Sequence, residues 1–379
     1  MRHYLLASIF LLTVQLIHAQ VNYKQGTVYL DGSSSLRIGT QKYSRPDDAF
    51  SDPQIPEFTG LNVRSQPVGI FVFDRLLVGA RINYAYNRSS ETTFQTEDRQ
   101  QSYRVNPFVR YYILAGEERK WNLFAEFGFG TFGDGDLPSF ETDFHVGAGV
   151  DVPLLPGVVG TARLAYNANA SGLNFTTLDI GGNLLLGQLG TLKDVPLGRG
   201  TWTTQGQLAH SSFGHMRRGD DDWVDYSYSL SPSVGYFVLD GLLISSHSAL
   251  SLGGTQNDIS PSFSGRLTEI RFRNVQTELE VRYYPWRTTK FLPFAALALG
   301  YQSSTYSSPA FNPEDQKQES TILRAAAGVS YFLGENVALE VTAAYQRDNE
   351  FIEFDGAPLS SLRIRQLSLE TGFAFYFGR

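Results

Sequence analysis

The second half of this chain echoes the first, in order and almost in step. Ser65–Leu77 reads SQPVGIFVFDRLL and Ser231–Leu243 reads SPSVGYFVLDGLL, identical at eight of thirteen positions at an offset of 166. Val109-Arg110-Tyr111-Tyr112 returns as Val281-Arg282-Tyr283-Tyr284. Lys120–Gly130 (KWNLFAEFGFG) returns as Lys290–Gly300 (KFLPFAALALG), Ala148-Gly149-Val150 as Ala327-Gly328-Val329, and Tyr166 as Tyr345. The offset drifts, as it must if loops between fixed strands differ in length. A repeat constrains the fold before any residue-level argument, because one unit has to be built twice. Residues 20–187 form the first unit, 188–199 a connection, and 200–379 the second unit, each a string of β-hairpins.

The start of the chain reads as an address. Met1-Arg2-His3 is a short basic segment, Tyr4–Ile17 is mostly apolar, and Ile17-His18-Ala19 offers a small-residue cleavage site before Gln20. Residues 1–19 are therefore expected to be a cleaved secretory signal. The apolar stretch is too short to span a bilayer, which takes about 20 apolar residues. The chain has no cysteine, so neither a lipid-anchored N-terminus nor a disulfide framework is available. The net charge of −7 argues against a nucleic-acid partner, which would need a basic stripe. Gly 36, Tyr 20 and Phe 27 are high counts, as in large β structures. A mean hydropathy of −0.19 looks soluble, but a membrane barrel faces lipid with alternate residues only, which dilutes the average.

Strand signals fall near 26–39, 59–73, 76–88, 102–114, 121–132, 141–153, 158–168 and 174–187. In the second unit they fall near 200–213, 225–239, 242–253, 266–285, 290–304, 319–333, 336–347 and 361–377. Short turns such as Phe73-Asp74-Arg75 and Leu239-Asp240-Gly241 alternate with long polar connections such as 41–57, 89–101, 215–224, 254–265, 306–319 and 348–361. This asymmetry is the mark of an outer-membrane barrel, with short periplasmic turns and longer outer loops. Within 102–114, Tyr103, Val105, Pro107, Val109, Tyr111 and Ile113 share one face, and Arg104, Asn106, Phe108, Arg110 and Tyr112 share the other. Within 274–283, Val275, Thr277, Leu279, Val281 and Tyr283 oppose Asn274, Gln276, Glu278, Glu280 and Arg282. Aromatic residues near strand ends (Tyr84, Tyr86, Tyr111, Tyr112, Tyr283, Tyr284, Trp286, Phe373, Phe375 and Phe377) suggest girdles at two membrane interfaces.

The final strand alternates aromatics at Phe373, Phe375 and Phe377 and so resembles the insertion signal read by the outer-membrane assembly machinery, although Gly378 and Arg379 follow the last aromatic. The strings PFVRYY (107–112), FAEFGFG (124–130) and AGVSYFL (327–333) resemble the small OmpA/OmpX-type eight-stranded barrels of Gram-negative outer membranes. Each half is similar to one whole member. The resemblance implies an all-β, antiparallel, up-and-down transmembrane barrel in the outer membrane, with membrane lipids and the assembly machinery as partners. It implies little about activity.

Two closures fit an 8+8 duplication. One is a single 16-stranded, porin-like barrel, favoured because only one good terminal signal is present. The other is two tandem 8-stranded barrels, favoured by small inward residues such as Gly128, Gly130, Ala296 and Ala298. Sixteen strands leave an aqueous channel, whereas eight leave room only for side chains. The expected lumen charges are Arg37, Arg81, Arg104, Arg110, Glu126, Arg163, Glu278, Glu280, Arg282, Arg324 and Glu340, with Asp31 and Asp151 beside them. In one wide pore they would bias solute passage; in two narrow barrels they would neutralise one another. The first expectation is a passive pore for small polar solutes or ions, the alternative a closed barrel acting in adhesion or envelope integrity. A lipid-modifying enzyme is the remote third class: His210-Ser211-Ser212, His145 and His247 are the residues for it, but nothing brings nucleophile and base together. Asp220-Asp221-Asp222 lacks the spacing of a calcium loop and reads as a solvated loop. No catalytic residue, metal or cofactor is expected, and oligomeric state is left open.

Overall fold

The computed structural model describes residues 23–31, 35–44, 57–64, 67–91, 96–116, 119–134, 141–169, 173–189, 192, 195–205, 207–218, 221–258, 268–286, 290–308, 312–354 and 357–378. The expected secretory signal and Asp220 lie outside them. Every ladder between paired strands is antiparallel. The first unit contributes β1 (Val28–Asp31), β2 (Ser35–Ser44), β3 (Glu57–Arg64), β4 (Val68–Phe73), β5 (Leu76–Glu91), β6 (Thr96–Leu114), β7 (Asn122–Asp134), β8 (Glu141–Leu155), β9 (Val158–Asn169) and β10 (Leu173–Leu186). The second contributes β11 (Trp202–Gln205), β12 (Gln207–Arg218), β13 (Asp221–Leu230), β14 (Ser233–Leu239), β15 (Leu242–Asp258), β16 (Thr268–Tyr283), β17 (Phe291–Ser308), β18 (Asn312–Gly334), β19 (Val337–Phe354) and β20 (Ala357–Phe377). The pairs β1/β2, β3/β4, β11/β12 and β13/β14 each occupy one expected strand as two segments. These divided strands are the first two expected in 20–187 and the first two expected in 200–379.

Those breaks decide closure, and the answer differs with height. At the turn end, β1 pairs with β4 on one side and β10 on the other, and β4 through β10 are laddered in chain order. This closes an eight-strand circuit. The second unit does the same, with β11 paired to both β14 and β20. At the loop end the partners change. The upper part of β10 pairs with β12 (Leu173↔Met216 to Ile180↔Ala209), and the upper part of β20 pairs with β2 (Thr371↔Leu36 to Arg363↔Ser44). Following ladders there runs through β2, β3, β5–β10, β12, β13 and β15–β20, a sixteen-strand circuit. A single 16-stranded barrel over the whole height is therefore not what the pairings describe, and two independent barrels are not either. The first strand contacts both β10 and β20, at different levels.

The strands also run farther into the expected loops than polar composition suggested. β5 and β6 leave only 92–95 between them, and β18, at 23 residues, starts at Asn312. A bilayer needs only about 9–11 residues of tilted strand. The extra length is polar sheet beyond the apolar zone, where cross-strand backbone pairing suffices. Asp221 and Asp222 are likewise strand residues, in register with Arg218 and Arg217, rather than loop residues.

Side chains are distributed inside out relative to a soluble sheet. Asn106, Phe108, Arg110 and Tyr112 are buried, while Val105, Val109, Tyr111 and Ile113 are exposed. The same face alternation exposes Leu279, Val281 and Tyr283, and Leu297 and Leu299 reach 65% and 66% exposure. No described helix is long and apolar enough to cross a membrane, which says nothing of strands.

The two turn ends are capped in the same way. Gln25 N–H donates to Asp74 Oδ1 at 3.0 Å, and Arg199 N–H donates to Asp240 Oδ1 at 2.8 Å. Gly26 and Gly200 donate to the carbonyls of Phe71 and Phe237, and Arg75 and Gly241 to those of Tyr23 and Leu197. The turn places Arg75 at φ 69° and Gly241 at φ 75°. Only the second half has the residue that tolerates this region freely. Leu192, Val195 and Leu197 of the connection pack against the interior of the second circuit.

Candidate functional site: two filled floors and an open vestibule

Successive inward positions on β6 bring Phe108, Arg110 and Tyr112 into the first circuit. Glu126, on β7, is cross-strand to Arg110. Arg110 Nε and Nη2 donate to Glu126 Oε2 at 2.9 and 2.7 Å, and Arg163 Nη1 donates to Oε1 at 3.0 Å. Arg81 also binds Oε1, and His145 Nε2 lies 3.3 Å from that oxygen. One buried carboxylate thus serves three guanidinium groups. Such a charge is tolerable away from water only because its partners are in place. Asp179 takes a second bond from Arg163, at 2.6 Å, and Asp143 faces Arg104 at 3.5 Å.

Below this layer, Asp151 accepts from Tyr112 at 2.7 Å and Thr161 at 2.5 Å, and Tyr23 stacks on Tyr112 with centroids 4.0 Å apart. The Arg110 guanidinium lies 4.0 Å from the Phe124 ring centroid and donates to Tyr29 at 2.8 Å. Missing side chains make the room. A Cβ on Gly128 would run into the His145 ring, and one on Gly149 into the Phe124 ring. Beside Arg110 and Arg163 a cavity of about 30 Å³ remains, lined also by Asp31, Asp179 and Asn183. That volume suits a water molecule.

The second circuit is filled by related means. Arg282 stands where Val-Arg-Tyr-Tyr recurs, and its Nη1 donates to both oxygens of Glu340, at 2.8 and 2.9 Å. Its Nε donates to Glu280 at 2.9 Å, and the group lies 4.2 Å from the Phe294 centroid. Tyr284, Tyr376, Phe237 and Phe332 close the floor beneath. The carboxylate comes from a different strand than in the first circuit: Glu126 corresponds in the repeat to Ala296, and Glu340 on β19 takes the role.

Ten of the eleven expected lumen charges fall in ion pairs. Arg324 Nη2 donates to Glu370 at 2.7 Å and lies 3.7 Å from Glu280, and Arg37 Nε lies 3.3 Å from Glu370. Glu278 accepts from Gln276 at 2.5 Å instead. Asp143, Asp179 and Glu370 belong to the same networks and were not among the expected residues. The alternation that places His145 and Leu369 would have found two of them.

Above the floors the inward face is mixed, with Ser304, Ser320 and Glu350 buried. Arg37, Asn62, Gln100, Ser102 and His247 share faces with lumen residues by register yet are exposed. His145, His210 and His247 sit on β8, β12 and β15, which share no ladder with one another. Among the described residues no cluster suits a metal ion. Of the expected assembly signal, Phe375 is buried against Val158, Leu184 and Val337, with Phe373 and Phe377 packed alongside. All three face outward from the second circuit, into the cleft where it meets the first.

No family model and no curated protein matches this chain. Among solved structures, it is similar to the outer membrane protein OprG from Pseudomonas aeruginosa, at 14% identity over 49% of this chain and 100% of that one, with a TM-score of 0.31. It is similar to a bacterial polysaccharide outer membrane secretin, at 12% identity over 92% and 100%, TM-score 0.39. It is similar to OprD from Pseudomonas aeruginosa, at 12% identity over 95% and 97%, TM-score 0.33.

Proposed function

We propose that the chain is an integral outer-membrane β-barrel, delivered by a cleaved signal, whose loop-side vestibule stands above two sealed floors. It works as a closed barrel through its vestibule and outer loops rather than as a general diffusion pore. The observation that carries this reading is Glu126 buried among Arg81, Arg110 and Arg163, directly above the Tyr23–Tyr112 stack. A solute could pass only by breaking that network. Membrane residence is supported by the exposed apolar faces, since lipid is the solvent in which Leu297 and Leu299 belong outside and Arg110 inside. Two units of one duplicated gene would account for the matched turn-end caps.

The passive pore is the second reading, favoured by the exposed inward residues at the sixteen-strand level. Planar-bilayer recording separates the two. The closed reading expects no stable nanosiemens openings from the wild-type protein. Persistent openings of that size would overturn it in favour of the pore.

A further inference from the structure

Two arginines stand side by side on the outer wall. Arg347 on β19 and Arg365 on β20 are direct cross-strand partners. Each lies two residues beyond an exposed apolar residue of the same face, Tyr345 at 46% and Leu367 at 59%. They therefore stand near the loop-side edge of the apolar wall, with the exposed Phe351 four residues farther along β19. On β17 that wall runs from Phe291 to Tyr301, both exposed. Ten residues of tilted strand rise about 25 Å, the height of a lipid-facing band.

Directly opposed like charges are unfavourable in a sheet. Neither arginine has an ion-pair partner among the described residues, and the Arg347 Nε is buried without a hydrogen bond. Leu323, the partner of Arg347 on β18, is apolar. Lys42 occupies the position opposite Arg365 on β2, with Glu57 opposite it in turn. A paired cationic site at headgroup height calls for an oxyanion that two planar forks can share.

We infer that Arg347 and Arg365 clamp the phosphate group of an anionic membrane lipid at the loop-side interface, beside the β2–β20 ladder. This rests on the membrane reading above. The test uses the full mature protein in mixed micelles and titrates a fluorescent phosphorylated glycolipid (lipid A) against zwitterionic phosphatidylcholine. The variants are R347Q, R365Q and the double variant, each checked for the folded, heat-modifiable band. Wild type is expected to prefer lipid A, and the double variant to lose about tenfold in affinity for it, with phosphatidylcholine binding unchanged. Millimolar inorganic phosphate should not compete. Equal lipid A binding by folded wild type and double variant would overturn the clamp while leaving the membrane reading intact. Competition by inorganic phosphate would overturn the lipid as its ligand. Failure of the wild type to enter micelles or vesicles at all would overturn both.

Discussion

Arg37, in the first unit, and Glu370, in the last strand, occupy directly opposed positions on β2 and β20, with Nε 3.3 Å from Oε1. The contact ties the two ends of the chain together within the vestibule. Glu370 also takes Arg324 at 2.7 Å, so one carboxylate links both units to the second circuit's interior network. The side chain of Arg37 is 47% exposed, which marks this as a solvent-screened tie rather than a buried one.

That difference in burial sets an order of effects. Glu126→Ala takes the carboxylate from Arg81 and Arg110 in a dry interior, while Arg163 keeps Asp179, and should cost about 3–5 kcal/mol. Glu370→Ala releases partners that water can reach and should cost about 1 kcal/mol or less. Urea titrations of both variants in lipid vesicles would show the ranking. Equal costs would mean that the first floor is hydrated after all.

The cleft between the circuits makes a second comparison. Phe375 is buried between Val158, Leu184 and Val337, whereas Phe127 faces outward at 54% exposure. Both lose the same atoms on truncation to alanine, but only Phe375 leaves a hole in packed protein. Phe375→Ala should therefore be about 1–2 kcal/mol more destabilising than Phe127→Ala. The same unfolding assay reads it, and a smaller effect at Phe375 would mean the circuits do not pack there.

The turn at Asp74-Arg75 carries a residue in the left-handed region that its counterpart fills with glycine. Arg75→Gly should gain about 1 kcal/mol and Gly241→Ala should lose about as much. Opposite signs in thermal unfolding of the two variants support equivalent turns. Destabilisation by Arg75→Gly would show that its side chain, not its backbone, matters.

Much of this was legible in the chain because strand periodicity is strict. Val105 to Ile113 and Asn106 to Tyr112 separate onto two faces by counting alone, and Arg104, Arg110, Arg282 and Glu340 follow. Partner choice was not legible. Alternation says which way Ile38 or Leu369 points, but the same outward residue suits β10 or β20 as neighbour. A strand that changes partner halfway up leaves no break in its alternation. Strand ends beyond the apolar zone were also hidden, since polar residues such as Asp221 and Asp222 look like loop wherever lipid does not demand apolar side chains. The filled floors depend on which strands close the circuit, so Arg110 could be assigned to the lumen but not to a plug.

Because the chain contains no cysteine, its closure can be read directly by engineered crosslinks. Leu30↔Leu184 reports the β1–β10 ladder and Ile38↔Leu369 the β2–β20 ladder. Opposed positions lie within disulfide range, roughly 4.5–5.5 Å between Cα atoms. The variant carrying Leu30→Cys, Leu184→Cys, Ile38→Cys and Leu369→Cys should form both links in one molecule, seen as two disulfide-joined peptide pairs after proteolysis. Only the first link would mean two separate barrels, only the second one wide barrel, and either outcome would contradict a fold whose closure changes with height.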